Sequence, residues 1–267
     1  MTAKSQYQPT YLEQLRIQLR VIWALTLREM ITRYGREGIG VIWIIAEPAM
    51  FIVGVMVIFS AVGHTEFTGT SVAEYLAVSY PTMLLWRNGT GRVMKAVDIN
   101  RALLHHRPVR PMDIIYSRIL LEFASATAAF IFLYLIFIAL GICQWPGDLL
   151  TMIVGYFMVV WFSFAFVMIM AALSELSEAI ERVSHIILYL NLPFSGVFIT
   201  AAAVPQPYRD YLLLFPLVNC VEWFHHGYYG DRMQTFYDPQ YTIVSLLVMT
   251  FFSYALINIA NKRVQRT

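Results

Sequence analysis

The chain has 267 residues, of which 58% are hydrophobic and only 13% charged, against about 25% charged in a soluble domain. This composition excludes an ordinary water-soluble protein, and a net charge of +2 gives no electrostatic reason for nucleic-acid binding. The apolar residues are gathered into runs long enough to cross a bilayer core of about 30 Å. We therefore expect an all-α membrane protein.

The first segment, 1–38, is predicted to be a cytoplasmic arm that carries a basic amphipathic helix over 12–34. Apolar residues recur in this helix at helical spacing, while arginines such as Arg16, Arg20 and Arg28 occupy other faces. Such a helix is expected to lie in the membrane interface. The long basic stretch before the first apolar run is not typical of a cleavable signal peptide.

The rest of the chain, 39–267, is predicted to form one transmembrane domain. About six spanning helices are expected, at 39–62, 71–91, 114–140, 149–173, 183–204 and 241–260. The second span is the weakest, because its apolar run is short and contains Pro81. Residues 205–236 hold apolar stretches too short to cross, which favours two short re-entrant or interfacial helices on the outer side before the last span.

Lysine and arginine counts predict the orientation of these spans. The arm carries six of them, the 92–110 loop five and the last six residues three, whereas the 141–148 turn has none and the long 204–240 loop has two. The basic segments should lie in the cytoplasm, so both termini are expected there. An even number of crossings then requires the weak second segment to span. The acidic 174–182 loop fits this topology least well.

Motifs for common enzyme chemistry do not occur in the sequence. There is no GxxxxGK[ST] loop, so ATP must be hydrolysed by another subunit, and neither HExxH nor GxSxG is present. The histidine pairs at 105–106 and 225–226 are adjacent residues, which disfavours a shared metal. We predict no catalytic and no metal site on this chain, and a disulfide between Cys143 and Cys220 remains open.

Two carboxylates are predicted to lie within spans, where an ionisable group usually faces the bundle interior. Glu122 has Arg118 one helical turn before it, and an ion pair between them is the favoured interpretation. Glu47 is followed by Pro48, which removes a backbone donor and bends helices. For Glu47, a position on a transport pathway and a structural role are equally open.

The basic loop 92–113 is expected to contain a short helix from about Arg92 to His105. Its apolar residues alternate with charges, so the loop either docks into a partner protein or serves as a solvated connector.

The stretch RYGREGIGVIW…EP, which starts at Arg33 and ends at Pro48, joins a basic interfacial helix to the first span. Six spans, a cytoplasmic loop between the second and third spans, and short apolar helices before the last span complete an ordered set of elements. This set resembles the permease subunit of type-2 ABC exporters. The likeness is to the KpsM-like capsular polysaccharide export permeases of Gram-negative bacteria and covers the whole chain. Ile39 stands where related O-antigen permeases more commonly have leucine, a conservative change.

This resemblance implies a homodimer in the bacterial inner membrane, driven by two copies of a separate ATPase subunit that holds ATP and Mg²⁺. Lipid-linked polysaccharide would pass between the two permeases and onward to periplasmic and outer-membrane polysaccharide export proteins. The chain itself would then be a transporter subunit and not an enzyme.

The resemblance also implies roles for particular residues. The loop helix would couple to the ATPase through Met94, Asp98, Arg101 and Leu104. The translocation path would include Trp43, Phe51, Tyr189, Phe194 and Phe198, because aromatic rings pack against sugar faces. Glu47, an ionisable group within a span, is the polar candidate for the same path. The glycolipid headgroup would meet Arg16, Arg20, Arg28, Arg33 and Tyr34. Plain helix packing for the aromatic residues, and anchoring to anionic lipid for the arginines, are the alternatives.

Three other functions remain open on the sequence. The chain could be an ABC permease for another cargo, such as O-antigen, teichoic acid or a drug. It could be a membrane-embedded acyltransferase that uses an interfacial histidine or glutamate, or a passive channel that needs no ATPase.

Overall fold

The computed structural model describes residues 10–34, 39–61, 63, 66–67, 69–100, 102 and 109–264. Helices dominate these residues, apart from a small antiparallel hairpin of β1 (Glu66–Phe67) and β2 (Thr70–Ser71). The helices are α1 (Tyr11–Tyr34), α2 (Ile39–Ala61), α3 (Val72–Val93), α4 (Ala96–Ile99), α5 (Pro111–Ala139), α6 (Leu149–Leu176), α7 (Glu178–Leu190), α8 (Tyr208–Leu213), α9 (Pro216–Tyr229) and α10 (Pro239–Val264). The predicted dominance of α-helix is confirmed.

Three of these helices, α5, α6 and the Pro239–Ala260 part of α10, are long and apolar enough to cross a membrane. Their starts are defined by local chemistry. Pro111 occupies the first turn of α5, where no backbone donor is needed. The Asp148 carboxylate accepts hydrogen bonds from the backbone N–H groups of Leu150 and Thr151, at 3.0 and 3.2 Å, and so caps α6.

The central helix of the bundle is α3, although the sequence predicts its span most weakly. It packs against α2, α5 and α6, and Val78 and Trp86 have no exposed surface. Some of its hydroxyl groups are satisfied within the helix, as when the Thr90 hydroxyl donates to the Trp86 carbonyl at 2.7 Å. A hydropathy scale scores polar residues as if they faced lipid. It therefore gives a low score to a spanning helix whose polar residues are buried in protein.

Helices α6 and α9 cross with their backbones in close contact. A Cβ atom on Gly227 would lie 2.6 Å from the carbonyl carbon of Thr151, and one on Gly155 would lie 2.8 Å from that of Trp223. Both distances are far below an ordinary contact, so only glycine fits at either position. The crossing holds the short helix α9 against the first two turns of α6.

The structure differs from the predicted continuous span at 183–204. Helix α7 ends at Leu190, and 3-10 turns follow at Pro193–Ser195 and Ala201–Ala203. Gly196, at φ 72°, adopts a left-handed conformation that stops a helix. Protein groups satisfy part of this irregular backbone, since the Tyr75 hydroxyl donates to the Gly196 carbonyl at 3.1 Å.

The predicted helix from Arg92 to His105 is also broken. Helix α3 runs on to Val93, Lys95 has a φ of 58°, and α4 follows over four residues, while 101 and 103–105 lie outside the described residues. The left-handed backbone at Lys95 redirects the chain between the two helices.

Helix α1 agrees closely with the predicted helix 12–34, but it does not bury an apolar stripe. Leu12, Leu15 and Trp23 are all more than half exposed. Polar contacts attach α1 to α5 instead: the Gln18 side chain donates to Asp113, and the Thr26 hydroxyl donates to the Ser117 carbonyl at 3.4 Å.

Candidate functional site

A cavity of about 310 Å³ opens between α1, α2, α3 and α5, near the end of the bundle that carries α4. We call it the Arg33 cavity. Charged, polar, aromatic and small apolar side chains all contribute to its lining. The lining residues are Arg33, Tyr34, Trp43, Glu47, Pro48, Leu84, Asn88, Arg92, Glu122, Ser125, Ala126 and Ala129.

Five residues, of which Arg33, Arg92 and Glu122 line this cavity, form a closed ring of ion pairs and hydrogen bonds that we call the charge ring. Arg33 pairs with Glu122 and lies 3.8 Å from Glu29. The other oxygen of Glu122 accepts from Arg92 Nη1 at 3.0 Å. The Arg92 carbonyl accepts from Arg118 Nη1 at 2.9 Å, and Arg118 Nη2 lies 3.3 Å from Glu29. The ring joins α1, α3 and α5.

The ring carries three arginines against two glutamates, so it has an excess of positive charge. The Glu122 side chain is only 5% exposed, whereas those of Arg33 and Arg92 are 23% and 40% exposed. Burial works to lower the pKa of the Arg33 guanidinium, but Glu122 and Tyr34 outweigh it and leave that pKa raised. Arg33 therefore stays charged beside the cavity, where an anion can reach it.

The ring corrects the interpretation of Glu122. Its partners are Arg33 and Arg92, from α1 and the end of α3, while Arg118 pairs with Glu29. Both partners of Glu122 are distant from it in sequence, and helical spacing therefore gave no sign of them.

Three polar side chains of the cavity have no polar partner within the part of the chain that the structure describes. Glu47, Asn88 and Ser125 line it and make no hydrogen bond or ion pair with another described residue. They are placed to exchange hydrogen bonds with a ligand. Trp43, which is 57% exposed, and Tyr34 add aromatic surface, and the Arg33 guanidinium lies 5.7 Å from the Tyr34 ring centre. The cavity thus joins cations, hydrogen-bonding groups and aromatic rings.

The residues predicted for the translocation path do not share one site. Trp43 and Glu47 line the Arg33 cavity. Phe51 stacks on Tyr80 of α3, with ring centres 4.1 Å apart. The remaining three lie on or after α7: the Tyr189 ring is 5.4 Å from the Arg87 guanidinium, Phe194 stacks on Phe215 at 4.9 Å, and Phe198 packs against the core.

The residues predicted to contact the glycolipid headgroup fall into two groups. Arg33 and Tyr34 line the cavity, whereas Arg16, Arg20 and Arg28 are exposed on α1. Sequence periodicity placed all five on one helix and could not show which of them α2, α3 and α5 enclose.

The coupling segment is described only in part, since Arg101 and Leu104 lie outside the described residues. Met94 is 7% exposed and faces the interior. Lys95 Nζ lies 4.0 Å from Asp98, and the Lys95 backbone N–H donates to Ser174 Oγ at 3.4 Å, which links α4 to the end of α6. Arg92, two residues before Met94, connects this segment to the charge ring.

Sequence reasoning missed one pair of residues with catalytic chemistry. Ser79 Oγ lies 2.7 Å from His225 Nε2, and both residues are fully buried. A nucleophile of this kind needs a group that orients the histidine, but His225 Nδ1 makes no hydrogen bond. Neither residue lines the Arg33 cavity. The pair therefore joins α3 to α9 as a packing contact. Within the described residues no group of three or more histidine, cysteine or acidic side chains could hold a metal.

Comparison with known proteins decides the family. Residues 20–229 match the family described as ABC-2 type transporter. The chain belongs to this family. ABC-2 proteins are membrane subunits of transporters, and the match includes every residue that lines the Arg33 cavity.

Several ABC-2 relatives are similar over almost their whole length. The capsule polysaccharide export inner-membrane protein CtrC of Neisseria meningitidis serogroup B (strain ATCC BAA-335 / MC58) is 29% identical, over 98% of this chain and 99% of CtrC. BexB of Haemophilus influenzae, named likewise, is 30% identical over 97% of both chains. The polysialic acid transport protein KpsM of Escherichia coli is 26% identical, over 87% of this chain and 92% of KpsM.

Proposed function

We propose that this ABC-2 chain is the transmembrane subunit of an exporter that moves lipid-linked capsular polysaccharide across the bacterial inner membrane. Two copies of the chain form the conduit, and two copies of a separate ATPase, which holds ATP and Mg²⁺, drive it. Periplasmic and outer-membrane export proteins take the polymer onward. Full-length similarity to relatives named for capsule polysaccharide export supports the cargo class.

The proposed topology has six crossings, by α2, α3, α5, α6, the α7 segment and α10, with both termini in the cytoplasm. Helix α7 has 13 residues, fewer than the ~20 that a crossing helix needs. We assign the rest of this crossing to 191–204. Irregular backbone is tolerated at membrane depth where protein buries it, and Ser195, Val197 and Ala201 are buried.

The Arg33 cavity is the proposed site for the headgroup of the glycolipid. Its chemistry matches the three parts of such a ligand. Arg33 and Arg92 meet a phosphate or an acidic sugar, Glu47 and Asn88 accept or donate hydrogen bonds to hydroxyl groups, and Trp43 offers a face for a sugar ring. The single observation that carries this proposal is the meeting of these groups in one cavity, under the helix that the sequence predicts to lie at the interface.

The ATPase would act on the α4 segment. Arg92 binds Glu122 with its side chain and Arg118 with its carbonyl, so a push on α4 reaches the cavity through the end of α3. Asp98 is partly exposed there, while the buried Met94 has a positioning role.

Two measurements test the proposal. The ATPase encoded beside this chain should co-purify with it, and the chain alone should hydrolyse no ATP. Replacing Arg33 and Arg92 together by alanine should reduce capsule export in a permease-deficient strain at least tenfold. Arg182→Ala, at an exposed arginine of α7 that does not line the cavity, is the matched control and should export normally.

Export is expressed per amount of each variant in the membrane, because the double variant also removes both partners of Glu122. Normal export by the double variant, or a failure of the ATPase to associate, would contradict the proposal. Restored export of O-antigen instead of capsule would reassign the cargo within the same family.

A further inference from the structure

A second pocket, of about 500 Å³, lies at the end of the bundle remote from α4, between α8, α9 and the segment before α10. We call it the Asp210 pocket. Its volume falls within the ~300–1,000 Å³ of small-molecule sites. The lining residues are Asp210, Leu213, Leu214, Asn219, His226, Thr235, Phe236, Tyr237, Asp238 and Tyr241.

Two carboxylates in this pocket keep acceptor capacity. Asp210 Oδ1 accepts from Gln206 Nε2 at 3.1 Å. Asp238 Oδ1 accepts from the backbone N–H groups of Gln240 and Tyr241, at 2.9 and 3.1 Å. The second oxygen of each carboxylate has no hydrogen bond to another described residue. A carboxylate accepts from about four directions, so hydroxyl groups of a ligand can bind to both.

The pocket is held in shape by a buried side chain. Asn219 is 2% exposed, its Nδ2 donates to the Leu213 carbonyl at 2.6 Å, and its Oδ1 accepts from the Asp238 backbone N–H at 3.0 Å. These bonds tie the end of α8, the first turn of α9 and the start of α10 together. Asp238 is therefore positioned before any ligand arrives.

Aromatic rings form another wall. Tyr237 stacks on Trp223 with ring centres 5.4 Å apart and lies 5.3 Å from the His226 ring. His226 Nδ1 in turn pairs with Thr235 Oγ1 at 2.9 Å. Aromatic rings beside hydrogen-bond acceptors suit a sugar, which has apolar ring faces and a rim of hydroxyl donors.

The charge of the pocket lining favours neutral over acidic sugars. The lining contains two carboxylates and neither arginine nor lysine. The nearby Arg209 does not line the pocket: its guanidinium lies 4.2 Å from the Phe236 ring centre and donates to the carbonyls of Ala201 and Val204. The pocket therefore repels acidic sugars, in contrast to the Arg33 cavity, where arginines are available to an anion.

We propose that the Asp210 pocket binds uncharged sugar units of the exported glycan. This inference rests on the proposed function and names the sugar class for a second site on the same chain. The acidic groups of such a polymer would bind Arg33 and Arg92 and would stay outside the Asp210 pocket. The Asp210 pocket would receive a neutral sugar ring that is rich in hydroxyl groups.

The test uses the full chain in lipid nanodiscs and two probes, a neutral tetramer of N-acetylglucosamine and a tetramer of sialic acid. Binding is followed by isothermal titration calorimetry. The neutral probe should bind with a Kd of about 1 mM or below, and the acidic probe at least tenfold more weakly. Asp210→Asn should weaken binding of the neutral probe at least tenfold, because the neutral amide replaces one acceptor oxygen of the carboxylate by a donor NH₂ group.

Asp231→Asn is the matched control, since Asp231 is exposed on the same side of the bundle and does not line the pocket. A second variant, Tyr237→Ala, should also weaken the neutral probe, whereas Tyr211→Ala, on the exposed face of α8, should not. Equal binding to wild type and Asp210→Asn, or acidic binding as tight as neutral, overturns the inference.

Failure of this inference is distinguishable from failure of the proposed function. A chain that exports capsule, depends on Arg33 and Arg92, and binds neither probe overturns the Asp210 pocket alone. A chain that binds the neutral probe but restores no export supports the pocket as a sugar site and contradicts the proposed export.

Discussion

The crossing of α6 and α9 gives the sharpest prediction about stability. Replacing Gly227 by alanine puts a Cβ atom 2.6 Å from the carbonyl carbon of Thr151, whereas carbon atoms ordinarily approach no closer than about 3.5 Å. The obstacle is backbone, which no rotamer change can relieve. The two helices must then separate by about 1 Å over a packed interface.

Overpacking usually costs about 1–3 kcal/mol, occasionally more, and a clash with backbone belongs at the upper end. We expect Gly227→Ala to lower the melting temperature by about 6–12 °C, and Gly155→Ala to have a comparable effect. Gly54→Ala is the matched control: it lies inside α2, and an added Cβ would meet no atom within 4 Å. Helix propensity should make that variant as stable as wild type, or more stable by up to ~1 kcal/mol.

The assay is thermal unfolding of each purified variant in one detergent, followed by tryptophan fluorescence. If Gly227→Ala and Gly54→Ala have the same melting temperature, the close approach of α6 and α9 is not a feature of the folded protein. The placement of α9 would then need revision, and with it one wall of the Asp210 pocket.

Three further predictions concern the charge ring, the α2–α3 contact and the cysteines. Glu122→Ala leaves Arg33 and Arg92 without their carboxylate and should lower the free energy of unfolding by about 1–3 kcal/mol. This loss is smaller than for a fully buried ion pair, because both arginines are partly exposed. An unchanged denaturation midpoint would contradict the charge ring. The stacked rings of Phe51 and Tyr80, 4.1 Å apart, should show a coupling of about 0.5–1.5 kcal/mol in a double-mutant cycle, and a coupling near zero would argue against the contact. Cys143 and Cys220 are free and buried, and burial raises the pKa of Cys143 to about 12. Both should react with maleimide only after unfolding, and a gel shift on reduction would reveal a disulfide instead.

Much of the architecture follows from local rules that the sequence displays. The helix from Tyr11 to Tyr34, the long apolar helices α5, α6 and α10, and the short helices α8 and α9 each depend on periodicity, length and proline placement. These signals act over a few turns of chain.

The parts that sequence reasoning did not reach depend on contacts between distant segments. The partners of Glu122 come from α1 and α3, and no spacing rule relates them. The Asp210 pocket joins α8, α9 and the start of α10, while the sequence showed there only short apolar stretches and aromatic residues. The apolar residues after Leu190 predicted a continuous span and so hid the early end of α7, although Pro193 and Gly196 disfavour a helix at that point.

The central claim is that the Arg33 cavity receives the headgroup of a lipid-linked glycan, and photocrosslinking tests it most directly. A photoreactive amino acid would replace Ser125, which lines the cavity, or Phe251, which is 72% exposed on α10. In cells that make capsule, position 125 should crosslink to a molecule carrying both lipid and glycan, and position 251 should capture only bulk phospholipid. Glycan captured equally at both positions, or at neither, would contradict the account.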